Sequence, residues 1–350
     1  MKLLKHIHSL WNKSSEKVRQ RIIVLFTILI LVNISVWFGG LFFSQKHPLL
    51  IGLIAIAYGL GLRHAVDADH IAAIDNTTRK LMVDGKRPVA VGLFFSLGHS
   101  TIVFILSIFV VFSSLFIKHL LPSLQSTGAV VGISVSSLFL LLIGFINLIA
   151  FLDILRIFKC VTKGGSCRKK IVENNIPTGG FLSRILGPVL KTVTTSWHMY
   201  FVGFLFGLGF DTASEVGLLS ISAASSTTGI SIWEVLLLPL AFTAGMVLID
   251  TLDGVLMLGA YGWAYIQPVR KLYYNLNITL ISVIIALFIG GIEALQLLSA
   301  QFKFHNSFSQ VINTIDLGKL GYITIVIFVS SWIIAVIIYK IRRYDLIEVR

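Results

Sequence analysis

Residues 59–70 read Gly59-Leu60-Gly61-Leu62-Arg63-His64-Ala65-Val66-Asp67-Ala68-Asp69-His70, continuing an apolar run that begins near residue 49. Five ionisable side chains therefore stand where a hydrophobic helix would otherwise be uninterrupted. On a regular helix, at about 100° per residue, His64, Asp67 and His70 occupy an arc of about 120°. Two imidazoles and a carboxylate then share one face, while Asp69 points elsewhere. An ionisable group at mid-bilayer costs about 2.5–3.5 kcal/mol on insertion scales, so it faces a cavity, a partner or an ion. The plainer alternative is that these groups pair among themselves, or with Arg63, to join helices.

The rest of the chain supports the membrane setting. Of 350 residues, 56% are hydrophobic and 13% charged, with a mean hydropathy of +0.89, far from a water-soluble domain. Apolar runs near 22–43, 49–74, 89–117, 128–152, 196–221, 233–262, 273–298 and 320–341 predict an all-α polytopic membrane protein of eight transmembrane helices. The first run is too long for a signal-peptide core and is read as an uncleaved helix. Basic residues fix the orientation, because cytoplasmic loops are enriched in Lys and Arg. With the N-terminus inside, 24 of the 29 basic residues fall on the inner side and four, Lys46, Lys118, Lys303 and Lys319, outside. The net charge of +13 is thus a topology signal rather than a nucleic-acid patch. The whole chain, 1–350, is one transport domain, with a cytoplasmic segment at 1–21 and a cytoplasmic linker at 153–195 between two helical halves. Cys160 and Cys167 sit in that linker without a nearby His and are read as reduced thiols of no assigned function.

Half of the 16 acidic residues lie inside spans: Asp67, Asp69, Asp75, Asp211, Glu215, Asp250, Asp253 and Glu293. Arg63 is the one obvious cation among them. A positive partner is missing, and a bound metal ion fits. His99 adds a third imidazole in the third span, as a ligand or as a group that orients one. Asp211 and Glu215 share a face of the fifth span, and Asp250 and Asp253 share one in the sixth with Thr243 and Met246. The candidate ligands are His64, Asp67, Asp69, His70, His99, Asp211, Glu215, Asp250 and Asp253. Imidazole with carboxylate suits nickel, cobalt or zinc; copper(I) would call for thiolate, and no span holds a cysteine. Magnesium would leave the histidines unexplained. Asn33 and Asn147 are expected to make hydrogen bonds between helices. Gly-x-Gly before His64 and before Asp211 allows close helix approach or local unwinding.

The stretch from Arg63 to Lys80 resembles the His-x4-Asp-His signature of the NiCoT nickel/cobalt transporters. Leu97–Thr101, Gly207–Glu215 and Leu238–Gly254 are similar to that family's other three signature blocks. The resemblance implies an eight-helix secondary permease that takes up nickel or cobalt across the cytoplasmic membrane. His64, Asp69 and His70 are its signature residues, so the family pattern selects Asp69 where the helical wheel selects Asp67.

Spans 2 and 5 each open a three-helix unit with a similar glycine motif, which points to an inverted repeat of spans 2–4 and 5–7, an architecture that builds midplane sites. No phosphate-binding Gly-x4-Gly-Lys-Ser/Thr loop is present, so ATP is not the direct energy source unless a partner supplies it; no obligatory ATPase subunit is evident, and nickel or cobalt is cargo rather than cofactor. An exporter of the same ions is the alternative. A membrane metalloenzyme comes third, since neither clustered His boxes nor His-Glu-x2-His occurs.

Overall fold

The computed structural model describes residues 16–112, 117–162, 193–208, 213–226, 230–264, 268–302 and 307–341. Among them every regular element is a helix. In chain order these are α1 (Glu16–Ser44), α2 (Leu49–His64), α3 (Ala68–Val83), α4 (Val91–Phe112) and α5 (Ile117–Thr162). After a 3-10 turn at Ser196–His198 come α6 (Met199–Phe206), α7 (Ala213–Ser226), α8 (Ile232–Val235), α9 (Leu237–Ala264), α10 (Pro268–Phe302), α11 (Ser307–Asn313) and α12 (Leu317–Ile341).

Five described helices are long and apolar enough to cross a bilayer: α1, α4, α9, α10 and the Val130–Arg156 part of α5. The bent pair α2 and α3 makes a sixth if taken as one span. The expected fifth span is divided between α6 and α7, and α12 carries a shorter apolar stretch, Lys319–Ser331. The first ten residues of the expected 153–195 linker continue α5 to Thr162, so Cys160 has a helical backbone; Cys167 and most of the linker lie outside the described residues.

Burial follows sequence period. In α1 the buried residues Val18, Leu29, Val36 and Gly40 recur at intervals of 11, 7 and 4, which return to the same side of a helix. Ile23, Val24, Leu31, Phe38 and Phe42 remain exposed, as lipid-facing residues should. Helix α9 is the centre of the bundle, packing on α1, α2, α3 and α4. One apolar cluster joins α2, α4, α7 and α9 around Ile54, Val103, Leu218 and Phe242; the other joins α3, α4, α5, α6 and α10 around Ile74, Phe95, Leu140 and Ile289.

Glycine sets how close the helices come. A Cβ on Gly61 of α2 would strike the Phe242 carbonyl of α9, and one on Gly245 would meet the Tyr58 carbonyl in return. Across the bundle, a Cβ on Gly98 of α4 would strike the Tyr200 carbonyl of α6, and one on Gly203 would strike that of Phe95. Backbones this near gain dispersion over their whole contact length, the main source of helix association where lipid is as apolar as the side chains.

The second span is broken. Helix α2 ends at His64, α3 begins at Ala68, and their axes differ by 53°. Asp67 is extended at φ −65° and ψ 146°, and occupies the N-cap position of α3. The break falls after His64 rather than at Gly59 or Gly61. It is buttressed by α12, where a Cβ on Gly321 would strike the Val66 carbonyl.

A glycine contact this tight leaves no room for a side chain. Gly98→Val is expected to lower the melting temperature of the detergent-purified protein by about 5 °C or more, because overpacking costs about 1–3 kcal/mol. Gly59→Ala, where nothing lies within 4 Å, is expected to leave it unchanged or slightly raised.

Candidate metal-binding site

The break places His64 at the end of one helix and His70 in the first turn of the next, with their ring centroids 4.7 Å apart. His99, from the middle of α4, closes a triangle of imidazoles with centroid separations of 4.9 Å to both. All three are buried, and one ligating nitrogen from each lies within 4.8 Å of the others. Phe95 and Phe242 wall them in, at 4.8 Å from His70 and 5.6 Å from His64.

Three carboxylates address this triangle in two ways. Glu215, in the first turn of α7, places Oε1 2.9 Å from His99 Nε2 and 3.8 Å from His64 Nε2. Asp67 and Asp250 instead hold the histidines from behind. Asp67 Oδ2 accepts from His64 Nδ1 at 3.0 Å, and Asp250 Oδ2 accepts from His70 Nδ1 at 3.1 Å and from the Ser96 hydroxyl. A carboxylate on Nδ1 fixes the tautomer, leaving Nε2 with its lone pair. His70 Nε2 has no hydrogen-bond partner among the described residues, although the ring is wholly buried.

The His64 and His99 Nε2 atoms are 3.0 Å apart. Two such nitrogens approach only with a proton or a cation between them. One proton on His99 Nε2, shared between His64 Nε2 and Glu215 Oε1, meets that need. The three atoms make a triangle with sides of 3.0, 2.9 and 3.8 Å. The point equidistant from its corners lies about 1.9 Å from each, and a small step out of that plane reaches the roughly 2.0–2.2 Å typical of nitrogen and oxygen ligands on a first-row ion. With His70 Nε2 alongside, the donor set is three imidazoles and one carboxylate, well matched to nickel or cobalt and poorly to a hard cation.

Of the residues singled out from sequence, His64, His70, His99, Glu215, Asp67 and Asp250 come together here. Asp69 does not join them: it is half-buried in the first turn of α3 and makes no side-chain hydrogen bond among the described residues. Asp253 lies a turn further along α9, and Asp211 is outside the described residues. Met246 packs in the apolar core. Asn147 bonds Asn76 across helices as expected, whereas Asn33 donates to Leu29 O of its own helix, so it does not link helices. Two contributors escaped sequence reasoning, Ser96 and Asp316. Asp316 lies 3.9 Å from Arg63, whose guanidinium also stands 4.0 Å from Asp67 Oδ1. Neither has a periodic or motif signal; only the fold brings them in.

A family model described as high-affinity nickel-transport protein matches residues 50–338. The chain belongs to that family. Within this nickel-transport family, it is 46% identical over 339 residues to the high-affinity nickel transport protein of Cupriavidus necator, covering 96% of this chain and 97% of that one. It is 45% identical to the nickel transporter NixA of Staphylococcus aureus, over 88% and 90% of the two chains. It is 36% identical to the cobalt transport protein NhlF of Rhodococcus rhodochrous, over 93% and 94%. No solved structure matches this member of the family.

The orienting carboxylates can be separated from Asp69 by titration. Asp67→Asn and Asp250→Asn are each expected to weaken nickel binding by about 10–100-fold in calorimetry on the purified protein, the usual cost of losing a group behind a ligating histidine. Asp69→Asn is expected to change it less than either. A larger effect at Asp69 would contradict the arrangement described.

Proposed function

We propose that this chain is a secondary transporter that imports nickel, and cobalt less preferentially, through a site formed by His64, His70, His99 and Glu215. The observation that carries the proposal is the convergence of three imidazole nitrogens and a carboxylate oxygen in a buried pocket whose geometry accepts one divalent ion. Membership of a high-affinity nickel-transport family favours uptake of scarce metal over its expulsion, and it favours transport over catalysis. The relatives named for nickel are closer in sequence than the one named for cobalt, which supports the order of preference.

The site assembles where polar backbone is tolerated. Backbone freed at a helix break inside a membrane must line a cavity or be covered by protein. The arriving ion sheds water as Nε2 of His64, His70 and His99 and Oε1 of Glu215 replace it. It takes the place of the proton between His64 and His99, and His99 then carries its one ring proton on Nδ1, so that Nε2 can ligate. Asp67 and Asp250 meanwhile balance the charge that the imidazoles gain. Asp69, outside this set, adds negative potential near His70. Asp211 is kept as a candidate ligand from its place in the sequence alone.

Alternating access is proposed to follow from an inverted repeat of eight crossings, with units built on spans 2–4 and 5–7. Three packing relations support it. Helix α2 meets α9 at Gly61 and Gly245 as α6 meets α4 at Gly203 and Gly98. Gly144 of α5 sits against Leu287 of α10, while Gly290 of α10 sits against Leu140 of α5. A single interval of about 147 residues relates Gly98 to Gly245, Gly144 to Gly290 and Leu140 to Leu287. An in-plane twofold axis exchanges these contacts, and rocking one unit on the other would open the site to either face.

The basic residues favour placing both termini, and the linker, in the cytoplasm, and the membrane is taken to be the cytoplasmic one. There the membrane potential acts on a divalent ion with about 4.6 kcal/mol per 100 mV. That suffices for uptake without an ATPase subunit or a resident cofactor.

Nickel uptake into vesicles reconstituted with the chain is expected to fall at least tenfold in His64→Ala and His70→Ala. Wild-type rates in both, at equal protein content, would remove the site. A potassium diffusion potential, inside negative, is expected to accelerate uptake several-fold over vesicles clamped at zero; indifference to potential would show that charge movement is compensated by a coupled ion.

A further inference from the structure

One buried charge layer is not used by the histidine site. Asp75, on α3, is wholly buried and accepts a hydrogen bond from Ser282 of α10 at 2.6 Å. Asp253, on α9, has a buried Oδ2 without a hydrogen-bond partner among the described residues and feels the negative charge of both Asp75 and Asp250. Asp250 is itself wholly buried. His70 and Ser96 hold its Oδ2, while its Oδ1 has no partner among the described residues. Asp75 lies five residues beyond His70 on α3, and Asp253 three beyond Asp250 on α9. Both helices thus carry a carboxylate about 4.5–7.5 Å past the histidine site, toward their C-terminal ends. Those ends lead into the segments with Lys86, Arg87, Arg270 and Lys271, the basic and hence inner side.

Arg79 stands one turn beyond Asp75 on the same face of α3. It is 1% exposed, and of its three guanidinium nitrogens only one is engaged, Nη1 donating to Thr279 of α10 at 2.9 Å. Nε and Nη2 have no partner among the described residues. A buried guanidinium with two unused donors is costly unless another conformation uses them. The natural partner is close. Residues i and i+4 have Cβ atoms about 5–6 Å apart, well within an arginine's reach. Yet Asp75 and Arg79 are instead held separately, each by a hydroxyl on α10, at Ser282 and Thr279.

Granted nickel transport through the histidine site, on which this rests, we propose that Asp75 and Asp253 form an inner station for the departing ion, and that Arg79 is the tethered cation that takes the metal's place there. The ion steps from the histidines to oxygen ligands, which hold a first-row metal less firmly than imidazole does. When α3 shifts against α10, the hydrogen bonds to Ser282 and Thr279 break together. Arg79 then pairs with Asp75, neutralises that carboxylate and discharges the ion inward. Arg79 is a positioning residue in this scheme, because it never touches the metal.

The full chain in vesicles, with nickel uptake and equilibrium nickel binding measured side by side, tests this. Arg79→Gln is expected to bind nickel at least as tightly as the parent yet to lose at least tenfold in turnover, a split that a purely structural guanidinium would not produce. Asp75→Asn added to Arg79→Gln is expected to recover at least threefold of the loss, since the carboxylate that retains the ion has gone. Arg79→Lys keeps the charge and is expected to stay within about threefold of the parent. Parent-like turnover in Arg79→Gln overturns the proposal, and so does a double variant without recovery. Should Arg79→Gln not fold, Arg79→Lys decides: parent-like turnover supports the proposal, and a tenfold loss in the folded protein overturns it. Failure of the histidine site would show itself differently, as undiminished nickel binding in His64→Ala.

Discussion

A carboxylate or imidazole enclosed by apolar helices must be balanced locally, because neither water nor lipid headgroups can do it. In this chain the balance is struck at the break between α2 and α3. Ending one helix at His64 and starting the next at Ala68 turns two imidazoles toward each other, and leaves Asp67 in extended backbone beside the first. The rest of the bundle supplies what the break lacks: His99 from α4, Glu215 from α7 and Asp250 from α9. Five helices, drawn from both halves of the chain, therefore depend on one another for charge compensation.

Such compensation tolerates little error in helix position. A shift of 1 Å would turn a 3.0 Å contact between His64 and His99 into no contact at all. The glycine approaches remove that freedom. Gly61 and Gly245 fix α2 on α9, Gly98 and Gly203 fix α4 on α6, and Gly92 of α4 lies against the Asp250 carbonyl of α9, so the helices that carry His64, His99 and Asp250 are packed backbone to backbone.

Much of this was legible before the fold. Polar residues in apolar runs are conspicuous, and His64, Asp67, His70 and His99 could be named as one site because three of them recur on a helical face and the fourth lies in the adjoining span. The wheel chose Asp67 over Asp69, and Asp67 is the residue that touches His64, although for a reason the wheel did not contain. It assumed an unbroken helix. The break is invisible in the sequence, because Ala65 and Val66 are ordinary helix residues and the support comes from Gly321, about 255 positions away. Distance in sequence hid the other pairings too. Asp250 and His70 are 180 residues apart, so nothing local could say that Asp250 orients a histidine while Glu215 faces the pocket. Asn33 failed the opposite way: a helix interior lets its amide bond Leu29 O one turn back, and that local option was taken.

The division of buried carboxylates into Asp67, Glu215 and Asp250 at the histidines and Asp75 and Asp253 beyond them bears on a conflict that every importer of a scarce ion faces. Binding must be strong enough to capture the ion and weak enough to release it. Three imidazoles with a carboxylate favour capture. A single rigid site of that composition would hold nickel on either side of the membrane alike, so rocking alone would not speed release. A second layer made only of oxygen ligands, one turn inward and bordered by the buried cation of Arg79, divides release into two smaller steps. The first exchanges nitrogen for oxygen; the second exchanges one positive charge for another. The second step leaves Asp75 with a counter-charge as the metal departs, and this gives the buried arginine a reason to sit in the bundle with Nε and Nη2 unpartnered among the described residues.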